Sequence, residues 1–222
     1  MVLDIYKRAF DYMRKNFADS ILFIISTAVL GFLSIALPIL GAIIYSYFYP
    51  NVVAWYYTKV TGENINPDYK TAFLSLLIPN LLASIGIIFI LYSIYYSPVP
   101  TGYMNLFGPT SYQYISYNPT LIIVEWVIII ISAVLSILLL YTFYGSILGK
   151  VNKLSIYLEK SLILLAYILL YAIIALLVLA IIYIIYALAI SINYGAMIFA
   201  ILSIIFLVPT VTLIALLKAQ EL

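Results

Sequence analysis

Residues 20–58 read SILFIISTAVLGFLSIALPILGAIIYSYFYPNVVAWYYT, and none of these 39 positions carries a charge. As a single α-helix the run would be about 58 Å long, roughly twice the thickness of a bilayer's hydrocarbon core. It is therefore two membrane spans or one badly mismatched span. Pro38 and Gly41 lie near its middle, where a tight turn divides it into spans at about 20–37 and 39–59.

The rest of the chain follows the same composition. Of its 222 residues, 67% are hydrophobic and 8% are charged, with mean hydropathy +1.20, whereas a soluble domain carries about a quarter charged residues. Further apolar runs long enough to span lie at about 71–96, 120–148, 161–190 and 196–217. A transmembrane β-barrel would alternate with period two in short segments, and that pattern is absent. The expected fold is an all-α integral membrane bundle of six transmembrane helices, residues 20–222, preceded by an amphipathic interfacial helix, residues 1–19.

The basic residues decide between five and six spans. With six, the N-terminus, the inner loops 60–70 and 149–160, and the C-terminus share one side of the membrane. These segments and the span ends beside them hold Lys7, Arg8, Arg14, Lys15, Lys59, Lys70, Lys150, Lys153, Lys160 and Lys218, all ten basic residues of the chain. The positive-inside rule makes that side cytoplasmic, so both termini are expected there. These ten residues read as lipid-facing anchors. The other side receives the turn at Pro38, the outer loop 97–120 and a turn at 191–195, none of which has a Lys or Arg. The outer loop has no acid either, which fits an acidic exterior where carboxylates would be protonated. Together with absent Cys, two Gln and abundant Ile and Tyr, it points to a thermoacidophilic archaeal source.

At the N-terminus, Leu3, Tyr6, Phe10, Met13 and Phe17 repeat with 3-4-3-4 spacing and form one stripe. Asp4, Lys7, Arg8, Asp11, Arg14 and Lys15 cluster on another sector. Such a helix lies in the inner interface and anchors topology; alternatively residues 1–19 meet a membrane or cytoplasmic protein partner. Asp19 or Ser20 would cap the first span. Gly62 would end the second, and Asn66, with Pro67 following, would cap the third.

The order of short motifs carries a resemblance. Pro38-Ile39-Leu40-Gly41 is followed by Trp55-Tyr56-Tyr57, Gly62-Glu63, Asn66-Pro67-Asp68 and Ala72-Phe73. Over about residues 1–95 this resembles a family of uncharacterised archaeal and bacterial polytopic membrane proteins, a domain of unknown function. The family's Arg-rich stretch before Gly-Glu is represented here by Lys59 alone. The resemblance implies a multi-span fold and no activity.

Within the spans, Ser46-Tyr-Phe-Tyr-Pro50-Asn51 and Ser75-Leu-Leu-Ile-Pro79-Asn80 repeat the word Ser-x-x-x-Pro-Asn. Each proline lies nine residues from a lysine, Lys59 or Lys70, so both words are expected in one layer of a helical hairpin. A mid-helix proline frees the carbonyl four residues earlier, here that of Ser46 or Ser75, which needs another partner in lipid. Asn51 and Asn80 are expected to face away from lipid. Helix packing explains such a layer most simply; a hinge or small polar cavity is the functional alternative. Glu125 is the one acid well inside a span and a candidate functional residue, expected to be neutral or in contact with water. Gly145 and Gly149 form a GxxxG expected to serve helix packing.

No Cys and no His are present, which removes thiolate and imidazole chemistry. No cofactor motif, metal cluster or nucleic-acid module is found. The expected protein is a non-catalytic, multi-pass cell-membrane protein whose partner is the lipid bilayer: a scaffold, assembly factor or accessory subunit. The alternative is a small-solute transporter or permease component, such as the membrane half of an ABC-type exporter.

Overall fold

The structure, a computed structural model, describes residues 2–95, 119–189 and 192–222, with side chains described for 3–90, 123–184 and 199–222. The charge-free outer loop, apart from residues 119 and 120, lies outside these residues, as does part of the turn expected at 191–195.

The described residues form eight helices and no strand: α1 Val2–Lys15, α2 Phe17–Ala36, α3 Pro38–Thr61, α4 Tyr69–Tyr95, α5 Pro119–Leu138, α6 Leu140–Ile147, α7 Leu158–Ala189 and α8 Ile192–Glu221. Four of them are long and apolar enough to cross a membrane: α2, the Tyr69–Ile90 part of α4, Leu158–Ile184 of α7 and Phe199–Glu221 of α8. A fifth is added if α5 and α6, bent by 44° at Leu139, form one broken span. The described residues are thus those of an all-helical membrane protein, with four or five such helices among them. The remaining long helix, α3, is less apolar because it carries Tyr45, Tyr47, Tyr49, Pro50, Asn51, Tyr56 and Tyr57.

The uncharged run of residues 20–58 is divided where the proline and glycine suggest. Leu37 leaves helical geometry at φ −129°, ψ 76°, and Pro38 opens α3, where its missing N–H costs nothing. Gly41 is required by the turn, since a Cβ there would collide with the Leu33 carbonyl and Ser34 Cα. The chain then runs back along itself. Phe23 stacks on Tyr56 with ring centroids 4.4 Å apart, Ser20 Oγ and Tyr56 Oη lie 2.8 Å apart, and Asn16 Nδ2 donates to the Val60 carbonyl. α2 and α3 are therefore an antiparallel pair. The pairs α3–α4, α4–α5 and α7–α8 continue the alternation, and α8 returns to α2.

Several local expectations change. Asn16, rather than Asp19 or Ser20, marks the break between α1 and α2; the Ser20 hydroxyl turns back to the Asn16 carbonyl at 3.0 Å. Gly62 ends α3 as expected, at φ 74°, with its N–H on the Thr58 carbonyl. Asp68, not Asn66, caps α4: its carboxylate accepts from the Thr71 N–H at 3.3 Å and the Thr71 hydroxyl at 2.7 Å. A carboxylate beside the positive helix end accepts from two donors that an amide two residues earlier would not reach.

Burial concentrates at one end. There the Asn16–Val60 bond is joined by Gln220 Nε2 on Glu63 at 3.0 Å, the Asp68 N–H on the Ser146 carbonyl at 2.8 Å and Lys150 Nζ on the Ala219 carbonyl at 3.3 Å. The N-terminal helix, both basic connectors and the C-terminal end thus meet. Leu213 to Leu217 of α8 are fully buried among them. Away from this end α2 and α7 expose long apolar surfaces, such as Phe32 and Ile35 on α2 and Leu177 and Ile181 on α7. A lipid-facing helix needs that composition.

Candidate functional site

The repeated serine–asparagine words are the strongest candidate feature, and the structure brings only part of them together. Ser46 on α3 is fully buried, and its hydroxyl accepts from Asn80 Nδ2 on α4 at 3.1 Å. One turn further along α4, the Ser84 hydroxyl lies 2.6 Å from the Pro38 carbonyl of α3 and 2.8 Å from the Asn80 carbonyl, so one proton serves two acceptors. On α5, the Ser132 hydroxyl donates to the Pro79 carbonyl at 2.8 Å. These contacts form a polar seam through α3, α4 and α5. Gly86 helps it form: a Cβ there would come within 3.1 Å of Ile129 on α5.

The seam differs from the expected layer in three respects. Ser75 is buried but turns to its own helix, donating to the Ala72 carbonyl at 2.8 Å. Asn51 is exposed, contrary to the expectation that it avoids lipid; its amide donates to the Tyr47 carbonyl at 2.9 Å. The reason is helical phase: Pro50 and Ser46 are buried, so the next residue, about 100° further round, looks outward. Finally, the interhelical hydroxyl bonds go to the carbonyls of Pro38 and Pro79 themselves rather than to those four residues before a proline.

Beside the seam a cavity of about 130 Å³ is lined by Tyr49, Ser75, Pro79, Asn80, Ser136 and Tyr144, among others. At about 30 Å³ per molecule it has room for a few waters. Ser84 was not singled out from sequence, although its position four after Asn80 on one helix face was a usable signal.

Glu125 sits on α5 with 6% of its surface exposed, and its Oε1 has no hydrogen-bond partner among the described residues. It is buried rather than reaching water. Trp126 beside it is exposed.

The GxxxG is not a helix-packing face. α6 ends before Gly149, which has φ 72°. The Lys150 N–H bonds to the Gly145 carbonyl at 2.8 Å and the Gly149 N–H to the Ser146 carbonyl at 3.1 Å, the pairing of a Schellman cap. Gly145 lies under Val151 of the following connector, and a Cβ on Gly149 would strike the Asn66 carbonyl. Both glycines seat connectors, not spans.

Three of the ten basic residues turn inward instead of towards lipid. Lys150 and Lys160 donate to carbonyls at the end of α8, those of Ala219 and Gln220 and that of Leu222 respectively. Lys218 is 5% exposed, pairs with Glu221 at 3.1 Å and lies 4.5 Å from the Tyr167 ring centroid. Cations at a helix C-terminus complement its unpaired carbonyls and dipole. Burial and then the neighbouring Lys160 pull the Lys150 ammonium below its usual pKa. Next to this collar, Tyr57 and Gln220 both donate to Glu63 Oε2, at 2.7 and 3.0 Å.

α1 divides its apolar stripe. Ile5, Ala9 and Met13 are buried in the bundle and Tyr6 nearly so, while Leu3, Phe10 and Phe17 remain exposed. The Tyr6 hydroxyl donates to the Tyr167 carbonyl at 2.9 Å. The buried line repeats every four residues, because a helix clamped against α8 presents a narrower face to protein than to an interface.

Comparison of the chain with protein-family models, with curated proteins and with solved structures finds no match.

Proposed function

We propose that the chain is a multi-pass protein of the cell membrane that crosses it six times, with both termini cytoplasmic, and that its role is non-catalytic: a scaffold, assembly factor or accessory subunit. The sixth crossing in this reading is α3. Its antiparallel place between α2 and α4 supports that, as does the burial of Ser46, Pro50, Tyr56 and Tyr57, which reduces the cost of its polar groups in lipid. The resemblance of residues 1–95 to the uncharacterised multi-span family belongs to the same reading. The exposed Leu3, Phe10 and Phe17 of α1 give residues 1–19 a surface for the membrane or a protein partner.

The observation that carries the non-catalytic reading is the seam. Ser46, Asn80, Ser84 and Ser132 spend their hydrogen bonds holding three helices together. The 130 Å³ cavity beside Asn80 is the observation that favours the second reading, a permease component. Osmotic shrinkage and re-swelling of proteoliposomes in glycerol, urea and potassium chloride separates the two. Re-swelling at the rate of protein-free liposomes is expected; a rate several-fold faster for any of these solutes moves the assignment to transport.

A further inference from the structure

Asn51 raises a question that the seam leaves open: an exposed amide, eight residues from Lys59 and so about 12 Å along the helix, on the outer flank of α3. Two clefts meet at this residue. One, of about 410 Å³, is lined by Asn51, Trp55, Thr58, Lys59 and Tyr69, among others. The second, of about 460 Å³, is lined by Tyr47, Asn51, Tyr69, Lys70 and Phe73. Asn51 and Tyr69 belong to both, so the clefts form one groove between the ends of α3 and α4.

The groove has a polarity. At one end stand Lys59 and Lys70, both exposed, and among the described residues neither makes an ion pair or a hydrogen bond. No acid lines either cleft. The nearest acids in sequence are occupied: Asp68 caps α4 through Thr71, and Glu63 accepts from Tyr57 and Gln220. Trp55 and Tyr69 flank the lysines, as amphipathic rings do at headgroup depth. At the other end Tyr47 and Phe73 meet edge to face with ring centroids 6.3 Å apart. Between the two ends lies Asn51, whose Nδ2 spends one of its two hydrogens on the Tyr47 carbonyl and keeps the other free for a ligand.

We infer that this groove is a binding site for an acidic phospholipid. Lys59 and Lys70 hold the phosphate. The second Nδ2 hydrogen of Asn51, between the lysines and the aromatic floor, donates to an ester carbonyl of the glycerol backbone. Tyr47 and Phe73 take the first methylenes of an acyl chain. Charge complementarity selects an anion, and the aromatic floor leading away from the lysines selects an anion with an apolar tail over a soluble one. Basic pockets between helices at the cytoplasmic face recognise lipid headgroups by this chemistry. The inference rests on the reading that the basic end of the bundle sits at a membrane face.

The test uses the chain's two tryptophans. A Trp126→Phe variant leaves Trp55 as the single indole, in the groove. It is reconstituted into phosphatidylcholine vesicles containing a small fraction of lipid brominated on its acyl chains, either phosphatidylglycerol or phosphatidylcholine. Trp55 quenching is expected to favour phosphatidylglycerol by about thirty-fold, from two lysines at the membrane surface. Lys59→Gln/Lys70→Gln in the same background is expected to bring the preference close to one, while Lys153→Gln, outside the groove, leaves it unchanged. Lys59→Gln alone provides a second variant, should the double one not fold, and is expected to reduce the preference about five-fold. Equal quenching by both lipids in the Trp126→Phe protein overturns the site. Quenching by neither overturns the membrane-face reading on which it rests. Release of brominated phosphatidylglycerol by inorganic phosphate, but not by chloride of equal ionic strength, assigns the lysines to a soluble anion and overturns the lipid.

Discussion

The bond from Asn80 Nδ2 to the buried Ser46 hydroxyl gives the seam a measurable strength. Ser46→Ala and Asn80→Ala each remove one partner of a 3.1 Å contact between α3 and α4. Asn80→Ala also enlarges the neighbouring 130 Å³ cavity, and cavity growth in a core costs about 24 cal/mol per Å³. That cost appears with and without Ser46, so a double-mutant cycle cancels it and leaves the pair. Interhelical hydrogen bonds in membrane proteins average about 0.6 kcal/mol and reach about 1.7. Ser46 is fully buried but Asn80 only half so, and water in the cavity can replace part of what is lost. The expected coupling is therefore about 0.5–1 kcal/mol, below that ceiling. The assay is reversible unfolding in mixed micelles of a mild detergent and dodecyl sulfate, followed by circular dichroism. Ser203, which bonds to its own helix at Phe199, supplies the control pair Ser46→Ala with Ser203→Ala. A Ser46–Asn80 coupling no larger than that of the control would refute the seam as a tie between helices.

Other variants probe the remaining features. Gly149→Ala should destabilise more than Gly62→Ala in the same unfolding assay. Both glycines have positive φ, costing an L-residue about 1–2 kcal/mol, but a Cβ at 149 also strikes the Asn66 carbonyl whereas at 62 it meets open space; equal losses would place the cost in φ alone. Glu125→Leu should leave stability unchanged or raise it by about 1–3 kcal/mol, since it removes a buried oxygen with no partner; a loss above about 2 kcal/mol would mean that the carboxyl is held. Tyr6 has its pKa raised by burial and then by Tyr167. A raised folded value keeps its contribution intact below about pH 10 and removes it as pH rises further, so Tyr6→Phe should flatten the alkaline fall in stability; an unchanged fall would assign it to other groups.

What could be read in advance followed from chemistry local to the chain. Pro38 and Gly41 in an uncharged run too long for one span located the α2–α3 turn, because that turn is built from those residues themselves. Gly62 as a helix end was legible for the same reason. The seam was half legible. Two Ser-x-x-x-Pro-Asn words in a hairpin predict a shared layer, but which residues face the partner depends on helical phase. That phase turns Asn80 towards Ser46 and Asn51 outward. Gly145 and Gly149 show the limit of a spacing motif: four residues apart suits a helix face, yet α6 ends between them, so they seat connectors. The inward lysines 150 and 160 were also out of reach, since their acceptors are carbonyls at the far end of the chain, as was Lys218 over the Tyr167 ring of another helix. The groove at Asn51 needed the side chains of two helices placed together.

In the proposed arrangement the charged end of the bundle faces the cytoplasm and the chain crosses six times. The chain has no native cysteine, so single cysteines placed at Asn64, Leu37 and Tyr112 report their own exposure to a membrane-impermeant maleimide. Intact cells should label 37 and 112 and leave 64 untouched until the membrane is opened. Labelling of 64 from outside would invert the arrangement, and protection of 37 with labelling of 112 would remove the crossings assigned to α2 and α3 together.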